Sequence, residues 1–225
     1  MQIYKIGVPN IAVAPLVSQL KSSLFVAPTL WIISGGSNIP LSVEAMNRID
    51  YDLSANLTVA LADERYGPYG HPDSNWTQLK TAGFDPKRAQ IIEVLTSDNP
   101  SLENTVQNYA NAISQAFYEN EHRVGQFGMG ADGHIAGILP GSPASHETSD
   151  LVVGYQSDPF TRITLTFEAI KQLNVAFLIA GGNTKHDQLV KLTSQDAPLS
   201  EQPAQIIKQI TEAYVYNDQI EGENT

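Results

Sequence analysis

The stretch FGMGADGHIAGILPGSP, residues 127–143, begins at the end of a predicted strand at residues 122–127. Its five glycines let the backbone turn sharply and come close to a ligand. Asp132 and His134 stand two residues apart in this stretch, so both side chains can face one cavity. The carboxylate can then orient or charge-stabilise an imidazole, a group that titrates near neutral pH. We interpret the stretch as a catalytic turn; an Asx-type turn beside a solvated histidine is the simpler alternative.

Residues 128–133 also match G-x-G-x-x-G, the pattern of a dinucleotide-binding turn. That turn needs a long helix directly after its third glycine. Here Pro140, Gly141 and Pro143 interrupt the chain too soon for such a helix. We therefore reject a dinucleotide site and expect no cofactor.

A chain of 225 residues is long enough for one large α/β domain, and no break in composition divides it. We predict a single domain at residues 1–225. The formal net charge of -11 argues against nucleic-acid or anionic-membrane binding. Because the chain has only 13 Lys and Arg, an anionic substrate would need several of these few cations in one pocket.

The sequence contains no cysteine, which excludes disulfides, thiolate metal sites and cysteine nucleophiles. Its first ten residues, MQIYKIGVPN, lack the basic region and apolar core of a signal peptide, and no apolar run approaches membrane-spanning length. We expect a cytoplasmic protein.

Three apolar runs, residues 29–33, 56–61 and 174–180, predict buried strands, and residues 122–127 predict a further strand. A polar cluster follows each of the four strands: residues 34–38, 63–65, 128–134 and 181–185. Weaker strand signals lie at residues 2–8, 91–95, 151–155, 162–167 and 213–216. Helical spacing of apolar residues fills most of the intervals, including a helix through Ile206, Ile207 and Ile210.

Strands that alternate with helices predict an α/β fold with a mostly parallel central sheet and helices on both faces. The hairpin-like pair at residues 151–155 and 162–167 can leave this order. Ligands of such sheets bind beyond the carboxyl ends of the strands. The four polar clusters should therefore meet over one ligand.

A loop rich in serine and glycine before a helix, Ser34-Gly35-Gly36-Ser37, presents backbone N–H groups, hydroxyls and a helix dipole to an anion. Arg65 and Lys185 each follow another strand and can reach the same phosphate. Arg162 is a third candidate cation. An ordinary turn is the simpler alternative for the loop and a surface salt bridge for each cation, and for Arg162 we favour the salt bridge.

Asp63 and Glu64 precede Arg65, so one carboxylate can pair with the guanidinium while the other faces the cavity. We expect Asp63 to face the cavity and Glu64 to be structural. The other histidines show no metal-ligand spacing, and no G-x-S-x-G elbow occurs. We therefore expect no metal, and His134 with Asp132 acting as a general base on water.

Five motifs occur in a familiar order: SGGS at residues 34–37, DER at 63–65 with DSN at 73–75, GMGADGH at 128–134, RITLT at 162–166 and GGNTK at 181–185. Together they resemble the 6-phosphogluconolactonase branch of the family shared with glucosamine-6-phosphate deaminase. The resemblance implies a Rossmann-like, three-layer α/β sandwich and metal-free hydrolysis of 6-phosphoglucono-δ-lactone to 6-phosphogluconate in the pentose phosphate pathway.

The same resemblance implies that His134 is the base and that the phosphate lies against residues 34–37, Arg65 and Lys185. It also brings Asn75, the last residue of DSN, among the candidate substrate ligands. We retain Arg162 of RITLT as a candidate ligand on the same basis.

The chain departs from the family pattern in two places. Asn38-Ile39-Pro40 stands where the family usually has Thr-Pro directly after SGGS. Gly137 and Leu139 stand where the lactonases commonly have Ser and Phe. The deaminase pattern would put a catalytic Glu at position 139, and leucine cannot titrate, so the lactonase branch is favoured.

Two other functions stay open at this point. One is an aldose–ketose isomerase or deaminase that uses Asp63 as its base. The other is a sugar-phosphate sensor that binds without turnover, which the lack of a basic DNA-binding segment disfavours.

Overall fold

Residues 1–222, which the computed structural model describes, form ten strands in two sheets. The strands are β1 (Gln2–Lys5), β2 (Thr29–Ile33), β3 (Leu57–Leu61), β4 (Asp63–Arg65), β5 (Gln90–Ile92), β6 (His122–Phe127), β7 (Val152–Gln156), β8 (Thr161–Leu165), β9 (Val175–Ala180) and β10 (Glu212–Asn217). The last three residues of the predicted domain lie outside this part of the chain.

The central sheet has seven strands in the order β1-β10-β9-β6-β2-β3-β5, and all of its pairs are parallel. Strands β2, β3 and β9 are buried along their whole length, as the apolar runs predict for strands covered on both faces. The predicted α/β fold with a mostly parallel sheet is confirmed.

Helices surround this sheet. They are α1 (Val13–Val26), α2 (Ile39–Arg48), α3 (Asn75–Thr81), α4 (Leu102–Glu119), α5 (Phe167–Ile170) and α6 (His186–Ser194). Ser74 and Ser101 cap α3 and α4, because each hydroxyl accepts a hydrogen bond from a first-turn backbone N–H. In the described part of the chain, no helix is both long enough and apolar enough to cross a bilayer.

A second sheet of three antiparallel strands, in the order β4-β8-β7, lies outside the parallel order. The pair β7 and β8 corresponds to the predicted hairpin. Strand β4 is formed by residues 63–65, for which the sequence predicts only a polar cluster after a strand. Its pairing with β8 sets Asp63 opposite Thr164 and Arg65 opposite Arg162.

Three other predictions need correction. The strand expected at residues 91–95 is β5, which ends at Ile92. The helix through Ile206 and Ile207 is a 3-10 helix, Pro203–Gln209, and Ile210 follows it. The opening strand expected at residues 2–8 ends at Lys5.

Candidate functional site

A cavity of about 280 Å³ lies where the chain leaves the central strands β2, β6 and β9. It is lined by Ser34, Gly35, Gly36, Ser37, Asp63, Arg65, Asn75, Gly128, Met129, Gly130, His134, Ala136, Arg162 and Lys185. The structure thus brings together at the cavity every site residue that the sequence suggested except Asp132, which does not line the cavity but contacts His134. A more apolar hollow, lined in part by Tyr66, Leu95 and Thr105, contains none of these groups, so we place the site by its chemistry.

The glycine-rich turn at residues 127–143 holds the Asp132 carboxylate against the His134 imidazole. His134 Nδ1 lies 2.7 Å from Asp132 Oδ1, and the backbone N–H of His134 donates to the same oxygen at 3.1 Å. A Cβ on Gly130 would lie 2.1 Å from His134 Nδ1, so only glycine leaves room for the pair. Gly133 takes a positive φ of 86° in the same turn.

The ring is therefore oriented through Nδ1, and the side chain of His134 is one third exposed on the cavity. Partial burial acts to raise the pKa of the Asp132 carboxyl, but hydrogen bonding and charge from His134 outweigh it and bring that pKa below its ordinary value. Asp132 thus stays ionised beside the imidazole at neutral pH.

Asp63 stands in a contrasting environment. Its side chain is only 8% exposed, and burial raises the pKa of its carboxyl despite the nearby positive charges of Arg65 and Arg162. Arg162 Nη1 lies 4.0 Å from Asp63 Oδ2. The surface salt bridge that we favoured for Arg162 is wrong, because its side chain is only 12% exposed and lines the cavity.

Glu64 points away from the cavity, as expected of a structural residue. Its buried carboxylate accepts hydrogen bonds from Ser74 Oγ at 2.9 Å and from the backbone N–H groups of Arg65, Asn75 and Trp76 at 2.7, 2.7 and 3.1 Å. These bonds fasten β4 to the first turn of α3. Arg65 and Asn75, which lie on those two elements, are thereby held at one wall of the cavity.

Three buried polar atoms at this wall have no hydrogen-bond partner within residues 1–222: Ser34 Oγ, Arg65 Nε and Asn75 Oδ1. Buried polar groups are nearly always satisfied, so unpaired ones that converge on a cavity indicate a polar ligand. A Cβ on Gly35 would lie 2.0 Å from Asn75 Oδ1, which explains the glycine there.

The departure at Asn38 places that side chain in the core, where it is 1% exposed. The backbone carbonyl of Asn38 accepts hydrogen bonds from Ser42 Oγ at 3.2 Å and Gln126 Nε2 at 3.4 Å. Asn38 ends a 3-10 helix, Gly36–Asn38, that leads directly into α2. The extra residue is thus absorbed beneath the loop, and residues 34–37 still line the cavity.

Lys185 ends the short 3-10 helix Asn183–Lys185 after β9. Burial lowers the pKa of its ammonium group, partly opposed by the negative charge of Asp218. The backbone N–H of Gly182 donates to Asp218 Oδ1 at 2.9 Å, so this aspartate also anchors the loop. Sequence reasoning missed Asp218; its position just after the last predicted strand was the available signal.

Comparison with known proteins identifies the family. Residues 16–216 match the family model described as glucosamine-6-phosphate isomerases/6-phosphogluconolactonase. The chain belongs to this family.

Curated members of the isomerase/lactonase family include two relatives named 6-phosphogluconolactonase. The protein from Synechocystis sp. is 29% identical over 202 residues, which cover 85% of this chain and 82% of the relative. The protein from Streptomyces coelicolor is 32% identical over 158 residues, which cover 63% of this chain and 59% of the relative. A crystal structure of a 6-phosphogluconolactonase from Shewanella baltica has a TM-score of 0.82 at 21% identity and covers 96% of this chain and 97% of its own. That likeness confirms the fold.

The glycine at position 137, where the lactonase pattern expects serine, has a packing reason in this member of the family. A Cβ there would lie 2.9 Å from Thr164 Cβ and 3.1 Å from Asp63 Cβ. The Gly137 backbone donates to Thr164 Oγ1 at 3.0 Å and accepts from the Tyr155 hydroxyl at 2.5 Å. The glycine-rich turn therefore packs closely against the small sheet.

Within residues 1–222, no three His, Asp or Glu side chains lie close enough together to hold a metal ion. The groups that the cavity offers are thus an imidazole with its carboxylate, a buried carboxylate, two guanidiniums, an ammonium and unpaired polar atoms. This set can bind a polyanion and move a proton.

Proposed function

We propose that this chain hydrolyses 6-phosphoglucono-δ-lactone to 6-phosphogluconate, the activity after which its curated relatives are named. The observation that carries the proposal is the meeting of the Asp132–His134 pair with Arg65, Arg162 and Lys185 at one cavity. A phosphorylated lactone needs both features: cations for its phosphate and a base for the attacking water.

The phosphate binds at the loop of residues 34–37, with Arg65 and Lys185 as its cationic partners. The unpaired Ser34 hydroxyl and Arg65 Nε supply donors, and the Asn75 amide supports substrate hydroxyls. This assignment agrees with the few cations of a chain whose net charge is -11, because three of its 13 Lys and Arg line this cavity.

His134 acts as the general base. Asp132 holds Nδ1, so Nε2 takes a proton from water, and the water oxygen bonds to the lactone carbonyl carbon. The cationic side chains compensate the oxyanion that forms. When the oxyanion collapses, the bond to the ring oxygen breaks, and that oxygen receives the proton from the imidazolium. The product is the open-chain acid, which ionises to 6-phosphogluconate.

The experiment is a rapid assay of lactone hydrolysis against an enzyme-free blank, since the lactone also opens by itself in water. We expect wild-type protein to exceed the blank clearly, and His134→Ala to lose most of that excess while it still binds 6-phosphogluconate. Unchanged activity in His134→Ala would defeat the assignment of the base. Saturable binding without any turnover by the wild type would instead indicate a sugar-phosphate sensor.

The isomerase or deaminase reading has one observation in its favour, the burial that raises the pKa of Asp63 and suits it to proton abstraction. We do not adopt it, because position 139 holds leucine where the deaminase pattern needs a carboxylate. Exchange of the hydrogen on carbon 2 of a sugar phosphate with solvent would reverse this choice.

We further propose that residues 1–225 act as one sugar-phosphate lactonase domain in the cytoplasm, without a metal and without nucleic-acid or membrane partners. The acidic net charge and the single chain-spanning family match support this assignment.

A further inference from the structure

Two guanidiniums stand side by side at the cavity wall. Arg65 and Arg162 are direct partners across the antiparallel pair β4 and β8, and both line the cavity. Like charges directly opposite each other on neighbouring strands repel, so something must hold them there.

Each of these two guanidiniums has protein partners for only some of its N–H groups. Arg65 Nη1 donates to the carbonyl of Asp73 at 2.8 Å, while its buried Nε has no partner within residues 1–222. Arg162 Nε donates to Ser157 Oγ at 3.1 Å, and its Nη1 lies 4.0 Å from Asp63. One buried carboxylate thus stands beside two guanidiniums.

The aromatic ring of Phe160 provides a second favourable contact for both guanidiniums, besides the Asp63 carboxylate. The centre of its ring lies 5.2 Å from the guanidinium carbon of Arg65 and 5.8 Å from that of Arg162. The face of an aromatic ring carries partial negative charge and attracts cations at such distances.

The ring is held in place by the turn between β7 and β8. Ser157 donates to the carbonyl of Phe160 through its backbone N–H at 3.0 Å and through its hydroxyl at 2.7 Å. The same hydroxyl accepts the hydrogen bond from Arg162. The turn therefore fixes the ring and one of the two arginines together.

We propose that Phe160 is a positioning residue that holds Arg65 and Arg162 together as a receptor for the substrate's dianionic phosphate. It thereby sets the preference for a phosphorylated lactone over an unphosphorylated one. The inference deepens the proposed function and rests on it for the identity of the substrate. The paired guanidiniums by themselves predict a compact anion such as a phosphate group, and the sugar lactone that carries it comes from the proposed function.

The test compares Phe160→Leu, which keeps apolar bulk but removes the ring face, with Phe160→Tyr, which keeps the ring. We expect Phe160→Leu to raise KM for 6-phosphoglucono-δ-lactone about tenfold and to change kcat less than about twofold. Its kcat/KM for unphosphorylated glucono-δ-lactone should stay near the wild-type value. Phe160→Tyr should restore the wild-type KM. Phe25→Leu is the matched control, because Phe25 is 86% exposed on α1 and absent from the cavity lining.

Binding is measured separately by calorimetry with 6-phosphogluconate and with inorganic phosphate. We expect Phe160→Leu to weaken both by about tenfold, and this loss is readable even if the wild type hydrolyses no lactone. The inference is overturned if Phe160→Leu binds both ligands like the wild type. It is also overturned if activity on both lactones falls equally, since that pattern indicates general damage to the cavity. A wild type without turnover but with Phe160-dependent phosphate binding would sink the lactonase proposal alone.

Discussion

Two aspartates of one site lie in opposite environments. Asp132, on the glycine-rich turn, is half exposed, hydrogen-bonded to His134, and has a pKa below its ordinary value. Asp63, on β4, is buried beside Arg162 and has a raised pKa because burial outweighs the neighbouring positive charges. Groups of one chemical type thus reach opposite protonation behaviour through burial and partners.

The contrast separates two regions of the site. The turn presents an ionised carboxylate that orients a partly exposed imidazole, which suits proton transfer. The wall formed by β4, β8, the first turn of α3 and the loops after β2 and β9 gathers cations and unpaired polar atoms, which suits anion binding. We therefore propose that the turn carries the chemistry and that the wall provides the affinity for the substrate.

Removing the imidazole of His134 should have the largest effect of the changes considered, and this effect should fall on the rate of hydrolysis. His134→Ala is expected to lower the enzymatic rate of lactone hydrolysis by about 10²- to 10⁴-fold, the usual contribution of a general base. The rate is measured as excess over the blank. His122→Ala is the control, because His122 lies at the other end of the same strand, β6, and outside the cavity lining. An equal loss in both variants would contradict a special role for the turn.

Removing a cation from the wall should weaken the binding of the substrate. Lys185→Met keeps the length of the side chain without its charge, and we expect KM to rise about 10- to 100-fold, since a charge-assisted hydrogen bond contributes ~1.5–3 kcal/mol. The control, Lys171→Met, removes an exposed lysine that pairs with Glu168 on the surface. A fall in kcat at unchanged KM would move Lys185 from the binding wall to the chemistry.

The hydrogen bonds of Glu64, which join β4 to α3 beneath the wall, should contribute to the stability of the fold. Glu64→Gln replaces an acceptor of four hydrogen bonds by a group with one acceptor oxygen, so we expect the free energy of unfolding to fall by ~1–3 kcal/mol. Urea denaturation measures the change. Glu44→Gln removes only an exposed pair with Arg48 and should cost less than ~0.5 kcal/mol. Equal losses would show that Glu64 does not fasten β4 to α3.

Removing the buried charge of Asp63 should have the smallest effect, and it should raise the free energy of unfolding rather than lower it. Because the pKa of Asp63 is raised in the folded state, the unfolded chain releases this proton first as pH rises, and the folded state loses relative stability. Asp63→Asn should therefore be more stable than the wild type by ~1 kcal/mol at pH 7.

Thermal unfolding across pH tests the sign of this change. The difference between Asp63→Asn and the wild type should be small near pH ~4, close to the ordinary pKa of aspartate, and should grow as pH rises through the raised pKa. Asp52→Asn, at a 93% exposed position, should show no such growth. A wild type that becomes the more stable protein at pH 7 would contradict the net cost of the Asp63 charge.

The sequence predicted the central sheet well because buried parallel strands leave a local signal. The run at residues 29–33 is apolar after Thr29 and forms β2 with the predicted bounds. The polar clusters after the strands then met at one cavity, since parallel strands bring their carboxyl ends to the same edge.

The small sheet was only half predicted, because its pairing joins segments far apart in the chain. Asp63–Arg65 has three polar residues and no apolar period, and its strand exists only through β8, about a hundred residues later. The burial of Arg162 follows from that pairing, which explains why the surface salt bridge was the wrong choice. The need for glycine at position 137 comes from its contact with Thr164 on β8, which is also distant in the chain, so no local sequence pattern could predict it.

The most direct test of the division between turn and wall is a parallel determination of kcat and KM for 6-phosphoglucono-δ-lactone with His134→Ala and Arg65→Ala. The account predicts that His134→Ala lowers kcat at nearly constant KM, whereas Arg65→Ala raises KM and leaves most of kcat. If both variants mainly lower kcat, or both mainly raise KM, the division between turn and wall is contradicted.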